Sequence, residues 1–122
     1  MTPEILKDLL EKVRALDAPN MHVEADIARG VLGWIKDGDV WRDKRGNGFT
    51  DTKRFTSSLD ACLSLLGQVL PKAEWTRNRY GRFSILYGAH CWNSHADSGD
   101  CTALLDCILQ ALLSQQAVKE TT

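Results

Sequence analysis

Phe55-Thr-Ser-Ser-Leu-Asp-Ala-Cys-Leu-Ser-Leu-Leu-Gly-Gln-Val-Leu-Pro-Lys-Ala-Glu-Trp75 decides how the rest of the chain is read. Ser57 and Asp60 have capping-box spacing, in which a hydroxyl accepts from an N–H of the first helical turn; Thr56 is the alternative N-cap. Asp60 also sits where the helix dipole favours a carboxylate. Leu59, Cys62, Leu63, Leu66, Val69 and Leu70 recur at steps of three and four and form one apolar stripe, widened by Leu65. Pro71 ends the helix, because it has no N–H to donate and drives Leu70 out of the α region. The stretch is a capped helix, a stop and, at Glu74-Trp75, the start of a strand.

Toward the N-terminus the pattern first dissolves. Arg42, Lys44, Arg45, Lys53 and Arg54 surround Gly46-Asn47-Gly48 with no apolar period, which reads as a flexible, positively charged loop. Lys36-Asp-Gly-Asp39 fits a hairpin turn between Trp34-Ile35 and Val40-Trp41. Before it, a short helix runs from His22 or Val23 to Leu32, with Ile27, Ala28 and Val31 inward and Gly33 in the left-handed position after its end. Residues 17–20 are a loop. Thr2 caps a further helix, with Pro3 at its first position and a wide apolar face of Ile5, Leu6, Leu9, Leu10, Val13 and Leu16.

Toward the C-terminus, residues 74–80 and 82–87 alternate as a β-hairpin turning at Tyr80-Gly81. Phe83, Ile85 and Tyr87 take one face and Ser84 and Leu86 the other; Trp75 shares a face with Arg77 and Arg79. Residues 88–92 bend into a third strand, and residues 95–99 are a polar turn. Asp100 caps a last amphipathic helix that carries Leu104, Leu105, Ile108, Leu109, Leu112 and Leu113 and ends near Gln116. The order predicts an α+β fold, a small antiparallel sheet of two to four strands packed between or against helices, within a single domain over residues 1–122.

Composition narrows the function classes. A chain of 122 residues, 43% hydrophobic and 25% charged with net charge −1, buries one core and has no bulk basic charge for general nucleic-acid binding. No apolar run approaches the roughly 20 residues of a membrane span. The acidic residues near the start, with no signal-peptide apolar region, predict a cytoplasmic protein whose Cys62, Cys91, Cys101 and Cys107 are reduced. Cys62 and Cys107 fall within helical apolar patterns as small hydrophobes.

Several of these motifs, in this order, resemble the phage ABA sandwich domain family of small phage and prophage proteins. They are Ile27-Ala28-Arg29-Gly30-Val31-Leu32-Gly33-Trp34, Phe55-Thr56-Ser57-Ser58-Leu59-Asp60-Ala61, Pro71 with Trp75 four residues on, and Thr102-Ala103-Leu104-Leu105-Asp106-Cys107. The resemblance covers residues 22–114 and leaves residues 1–19 as an additional helix and loop. It departs at Asp100-Cys101, where the family has Thr-Pro. It implies a helix-sheet-helix sandwich encoded by a phage or an integrated element, with Trp34 and Trp75 in the core, and it brings no catalytic residues to transfer.

The residues that could carry chemistry fall into three groups. His90, Cys91, His95, Asp97, Asp100 and Cys101 include zinc-ligand types, of which His90, Cys91, His95 and Cys101 are the candidates, but the segment lacks a Cys-x-x-Cys knuckle, so no metal or other cofactor is expected. Cys91 as a nucleophile is poorly served by His90, because adjacent residues on a strand point to opposite faces. Arg77, Arg79 and Arg82 crowd one hairpin with Trp75, Tyr80 and Trp92 near them, residue types that grip phosphate, stack on bases and anchor protein interfaces. The Lys44-Arg45 loop could close over either partner, and Trp41 and Trp92, in polar surroundings, are contact candidates.

The expectation is a non-enzymatic, phage- or prophage-encoded accessory protein in the bacterial host cytoplasm. It would antagonise host defence by blocking a host protein or sequestering an anionic nucleotide signal, a role assigned by analogy. A small zinc- or thiol-dependent enzyme built on His90 to Cys101 is the alternative, and a structural or packaging accessory protein is a third. An edge strand offers a route to a homodimer.

Overall fold

A computed structural model of the chain describes residues 2–80, 82–94 and 99–121, with side chains through residue 116. The element order is α1 (Pro3–Arg14), α2 (Met21–Gly30), β1 (Ile35–Asp37), β2 (Val40–Arg42), β3 (Gly48–Phe49), α3 (Leu59–Val69), β4 (Glu74–Arg77), β5 (Phe83–Tyr87), β6 (His90–Asn93) and α4 (Asp100–Thr121). The fold is α+β, with two three-stranded antiparallel sheets ordered β1-β2-β3 and β4-β5-β6. Among the described residues, no helix is long and apolar enough to cross a membrane.

The α4 helix, and not the Phe55–Trp75 stretch, is the centre of the molecule. Ala103, Leu104, Leu105, Cys107, Ile108, Leu109, Ala111 and Leu112 are all buried, along with the polar Thr102 and Asp106. Burial all round, where the sequence pattern suggested one stripe, follows from its neighbours: α1 and α3 pack on it, and β5 and β6 lie against it. The helix also runs past Gln116 to Thr121, and Asp100 lies inside its first turn instead of capping it. The α1 helix, which the sequence presents as an addition, drives Leu6, Leu9 and Val13 into the same core as α3 and α4. Its cap follows the sequence: Thr2 accepts from the N–H of Ile5, with Pro3 at the first position.

The α3 helix begins one residue later than a Ser57 cap implies and two later than a Thr56 cap implies. Ser58 is the N-cap and accepts from Ala61 N at 3.3 Å. Thr56 is instead buried and spoken for, as its hydroxyl donates to Glu24 at 2.7 Å and accepts from Asn20 N at 2.9 Å. The predicted stop holds: the helix ends at Val69, and Leu70 adopts φ −138°, ψ 69°, outside the α region that a following proline disfavours.

In the larger sheet Trp75 pairs with Ile85, and Ile85 with Trp92, so all three share the face toward α4 with Phe83, Tyr87 and His90. Phe83 and Ile85 are fully buried. Glu74, Thr76, Ser84, Leu86, Cys91 and Asn93 alternate onto the outward face. A two-residue turn at Gly88-Ala89 leads into the third strand, with Tyr87 paired to His90. The expected turn at Tyr80-Gly81 and the polar turn at residues 95–99 lie partly outside the described residues.

The smaller sheet confirms the hairpin around Gly38, which takes φ +62° in a two-residue turn between Asp37 and Val40. Lys36 pairs with Trp41 and Trp41 with Phe49, so the three share one face. That face closes on α2, where Ala28, Trp34 and Trp41 form a second, small core. Trp34 remains outside the strand and folds back, its N–H bonded to Ala28 O at 3.0 Å.

Candidate functional site: a cationic groove beside the small sheet

Residues 43–47, expected to be flexible, form a built turn that joins β2 to β3. One carboxylate oxygen of Asp43 accepts from the backbone N–H groups of Arg45 and Asn47, each at 2.9 Å, and the other accepts from Asn47 Nδ2 at 3.1 Å. The Asp43 carbonyl accepts from Gly46 N, and Asp43 N donates to Asn47 O. This is how a short acidic side chain closes a turn on its own backbone. Desolvation pushes the Asp43 carboxyl up, but the bonds from Asn47 and Arg45, with the Arg45 charge, outweigh it and hold its pKa below the usual value.

The turn presents Lys44 and Arg45 to an open groove of about 570 Å³, which they line with Val31, Leu32, Trp34, Asp43, Asn47, Phe49, Lys53, Gln68 and Val69. Three cations thus face one carboxylate, whose oxygens already accept three hydrogen bonds within the turn. Trp34 and Phe49 stack in the groove with ring centroids 4.9 Å apart and an interplanar angle of 6°. Lys53 Nζ lies 5.6 Å from the Phe49 centroid. The Lys44 stem rests on Gly33, where a Cβ would stand 2.5 Å from Lys44 Cε. A flexible lysine end can swing away from a Cβ, so it is the φ of +72° that favours glycine here.

The hairpin arginines do not converge in this way. Arg77 donates through Nε to Asp100 at 3.1 Å, with Nη2 3.1 Å from the same oxygen, an ion pair at the start of α4. Arg79 bonds the Tyr80 hydroxyl at 3.0 Å and lies 5.0 Å over its ring. Arg82 is exposed. Asn78 shapes this turn by accepting from Tyr80 N and Arg82 N.

Two tryptophan assignments change. Trp41, a contact candidate from its polar sequence neighbours, is 6% exposed, covered by Arg29 at 4.9 Å and Lys36 at 5.8 Å from its ring. Trp75, expected in the core, is 43% exposed, because β4 is the sheet edge and only one side of its ring reaches Phe83. Trp92 is half-buried, with His90 stacked at 5.7 Å.

The His90–Cys101 segment does not assemble a site among the described residues, which contain no group of three or more His, Cys, Asp or Glu side chains able to hold a metal. Cys91 lies opposite Leu86 on the outward face, and His90 lies on the other face. Cys101 sits on α4 beside Cys62. His95 and Asp97 lie outside the described residues.

The four thiols are graded. Cys91 is exposed, Cys101 partly exposed, and Cys62 and Cys107 buried. Burial, then the Asp106 charge, pushes Cys107 up to about 12; burial raises Cys62 further still, and raises Cys101. Iodoacetamide applied to native protein at pH 8 should therefore modify Cys91 first and Cys101 more slowly, and leave Cys62 and Cys107 unmodified until urea unfolds the chain. Mass spectrometry of timed samples checks the order, and early modification of Cys107 would contradict it.

Lys53, Phe49, Asn47 and Gln68 belong to the groove but were not singled out by the sequence. Lys53 carried a signal, as part of the same cationic run as Lys44 and Arg45, whereas Gln68 comes from α3 and has none. No protein family, curated protein or solved structure matches the chain.

Proposed function

We propose that this chain is a non-catalytic binding protein whose Lys44–Arg45–Lys53 groove takes an anionic small molecule, of which a phosphate-bearing nucleotide is the best fit. The observation that carries this reading is the placement of three cations and a parallel aromatic pair along one groove. A guanidinium forks onto phosphate oxygens, and an ammonium meets them as a point charge. A planar base extends an aromatic stack without reading its own hydrogen-bonding edge. Lys53 then exchanges the Phe49 ring for a phosphate oxygen. In the wider setting suggested by the resemblance, the chain is a phage- or prophage-encoded accessory protein that sequesters a host nucleotide signal.

Capture of a host protein is the second reading. Trp75 and Tyr80 are exposed on the hairpin beside Arg79, residue types enriched at interface hot spots.

Thermal shift and calorimetry against inorganic phosphate, mononucleotides and cyclic di- and trinucleotides distinguish the two. At least one phosphate compound should raise the melting temperature. Lys44→Ala, Arg45→Ala and Lys53→Ala should each weaken its binding about tenfold, or about 1.4 kcal/mol, while Arg77→Ala leaves it unchanged. The affinity should fall as salt shortens the screening length. No shift across the panel would overturn the groove reading. A host protein captured by the native chain and lost with Trp75→Ala would establish the second.

A further inference from the structure

Two of the thiols that the groove does not use lie side by side where α3, α4 and the Phe55-Thr56 turn converge. Cys62, in the first turn of α3, is fully buried, and its Sγ donates to Phe55 O at 2.8 Å. The same sulfur lies 3.8 Å from the carbonyl oxygen of Cys101, in the first turn of α4. Burial raises both thiols, and the neighbouring Cys101 raises Cys62 further. The 3.8 Å approach of the Cys62 sulfur to the Cys101 backbone sets the two cysteines side by side at the starts of α3 and α4. Cys101 is partly open to solvent, whereas Cys62 is buried. Neither residue helps to assemble a metal site among the described residues.

We propose that Cys62 and Cys101 are an oxidisable dithiol, and that they close to an intramolecular disulfide on exposure to a low-molecular-weight disulfide. The Cys101 thiolate attacks one sulfur of the reagent, forms a mixed disulfide and releases one small thiol. Cys62 then loses its proton and attacks the Cys101 sulfur, and the second small thiol leaves with the electron pair of the broken bond. Two cysteine thiols and one reagent disulfide become one protein disulfide and two small thiols, so atoms and electrons balance. Burial at Cys62 makes the second step slow, because thiolate is the attacking species. The bridge ties the start of α3 to the start of α4 and closes a long loop that contains the whole β4-β5-β6 sheet. A link of that span restrains the unfolded chain and stabilises the fold.

The test uses the full chain with Cys91→Ser, which removes the exposed thiol that would otherwise link two molecules. Native protein is incubated with oxidised glutathione over hours, acid-quenched, alkylated and measured as intact mass. The expected product has lost two hydrogens, has two fewer alkylation sites, and yields a Cys62–Cys101 cross-linked peptide. Its melting temperature should rise by roughly 5–15 °C and return to the starting value on reduction. Cys91→Ser/Cys101→Ser should melt like the reduced parent and gain neither the cross-link nor the shift. A stable glutathione adduct on Cys101 with Cys62 still free would overturn the proposal. So would a cross-link that involves Cys107, or no change in mass under conditions that oxidise the chain in urea.

Discussion

Glu24→Ala should lower the free energy of unfolding by about 3 kcal/mol, with two charge-assisted hydrogen bonds lost at roughly 1.5–3 kcal/mol each and partly replaced by water. Glu24 is a buried carboxylate on α2 that accepts from both the backbone N–H of Thr56 at 3.0 Å and its hydroxyl at 2.7 Å. The Thr56 hydroxyl in turn accepts from Asn20 N, and Asn20 caps α2 through its side chain. One carboxylate thus holds the approach to α3 against the start of α2. Removing it leaves a buried N–H and a buried hydroxyl without their acceptor, a larger penalty than the net worth of the bonds. Glu24→Gln keeps one acceptor oxygen and should cost less than half as much. Thr56→Val removes only the hydroxyl, and the double variant should be more stable than the sum of the single losses implies, because both delete one network. Urea denaturation reads all four, with a fall in midpoint at unchanged slope as the expected form. A loss below about 1 kcal/mol for Glu24→Ala, or strict additivity in the cycle, would mean that water replaces the carboxylate at little cost.

This contact also marks the boundary of what the sequence discloses. Short-range signals held: Thr2 and Pro3 at α1, Gly38 in the first hairpin, Pro71 after α3, and the alternation of Phe83, Ile85 and Tyr87 each depend on residues within a few positions. Thr56 was misread as a cap because its partners, Glu24 and Asn20, lie more than 30 residues away, and a hydroxyl before a helix has the same local appearance in either role. The two tryptophans were exchanged for a related reason. Trp41 has polar neighbours along the chain, but its cross-strand partner is Phe49 and the face they share closes on α2. Trp75 has the alternation of a buried strand residue, but an edge strand lies past the cover of the helix. The groove was half legible. Lys44 and Arg45 stood out as cations, whereas the stacked Trp34–Phe49 pair and Gln68 arrive only through tertiary packing.

The tie between α1 and α4 gives the second large effect. Arg14→Met should destabilise the chain by about 3 kcal/mol, at the low end of what breaking a buried ion pair costs. Arg14 Nε and Nη2 reach the two oxygens of Asp106 side-on at 3.3 and 3.2 Å, and Gln110 Nε2 donates to the same carboxylate at 2.7 Å. The pair is asymmetric: the Asp106 side chain is 3% exposed and the Arg14 side chain 38%. Methionine keeps most of the arginine stem, so the loss reports the charge left behind and not the packing. The carboxylate cannot rehydrate, since it sits on the helix buried on all sides. Asp106→Leu leaves the opposite residue, a guanidinium that can turn to water, and should cost less than Arg14→Met. Arg14→Met/Asp106→Leu should recover to within about 1 kcal/mol of the parent, because neutral partners of similar volume owe no desolvation. Denaturant melts of the three variants decide the matter. If the double variant is as unstable as the two losses added together, Arg14 and Asp106 act independently and the pair carries no coupling energy; if it falls short of that sum but stays well below the parent, the pair is a net source of stability. If it recovers, the pair's contribution is to fix how α1 seats on α4, and the stability of that contact resides in Leu6, Leu9 and Val13.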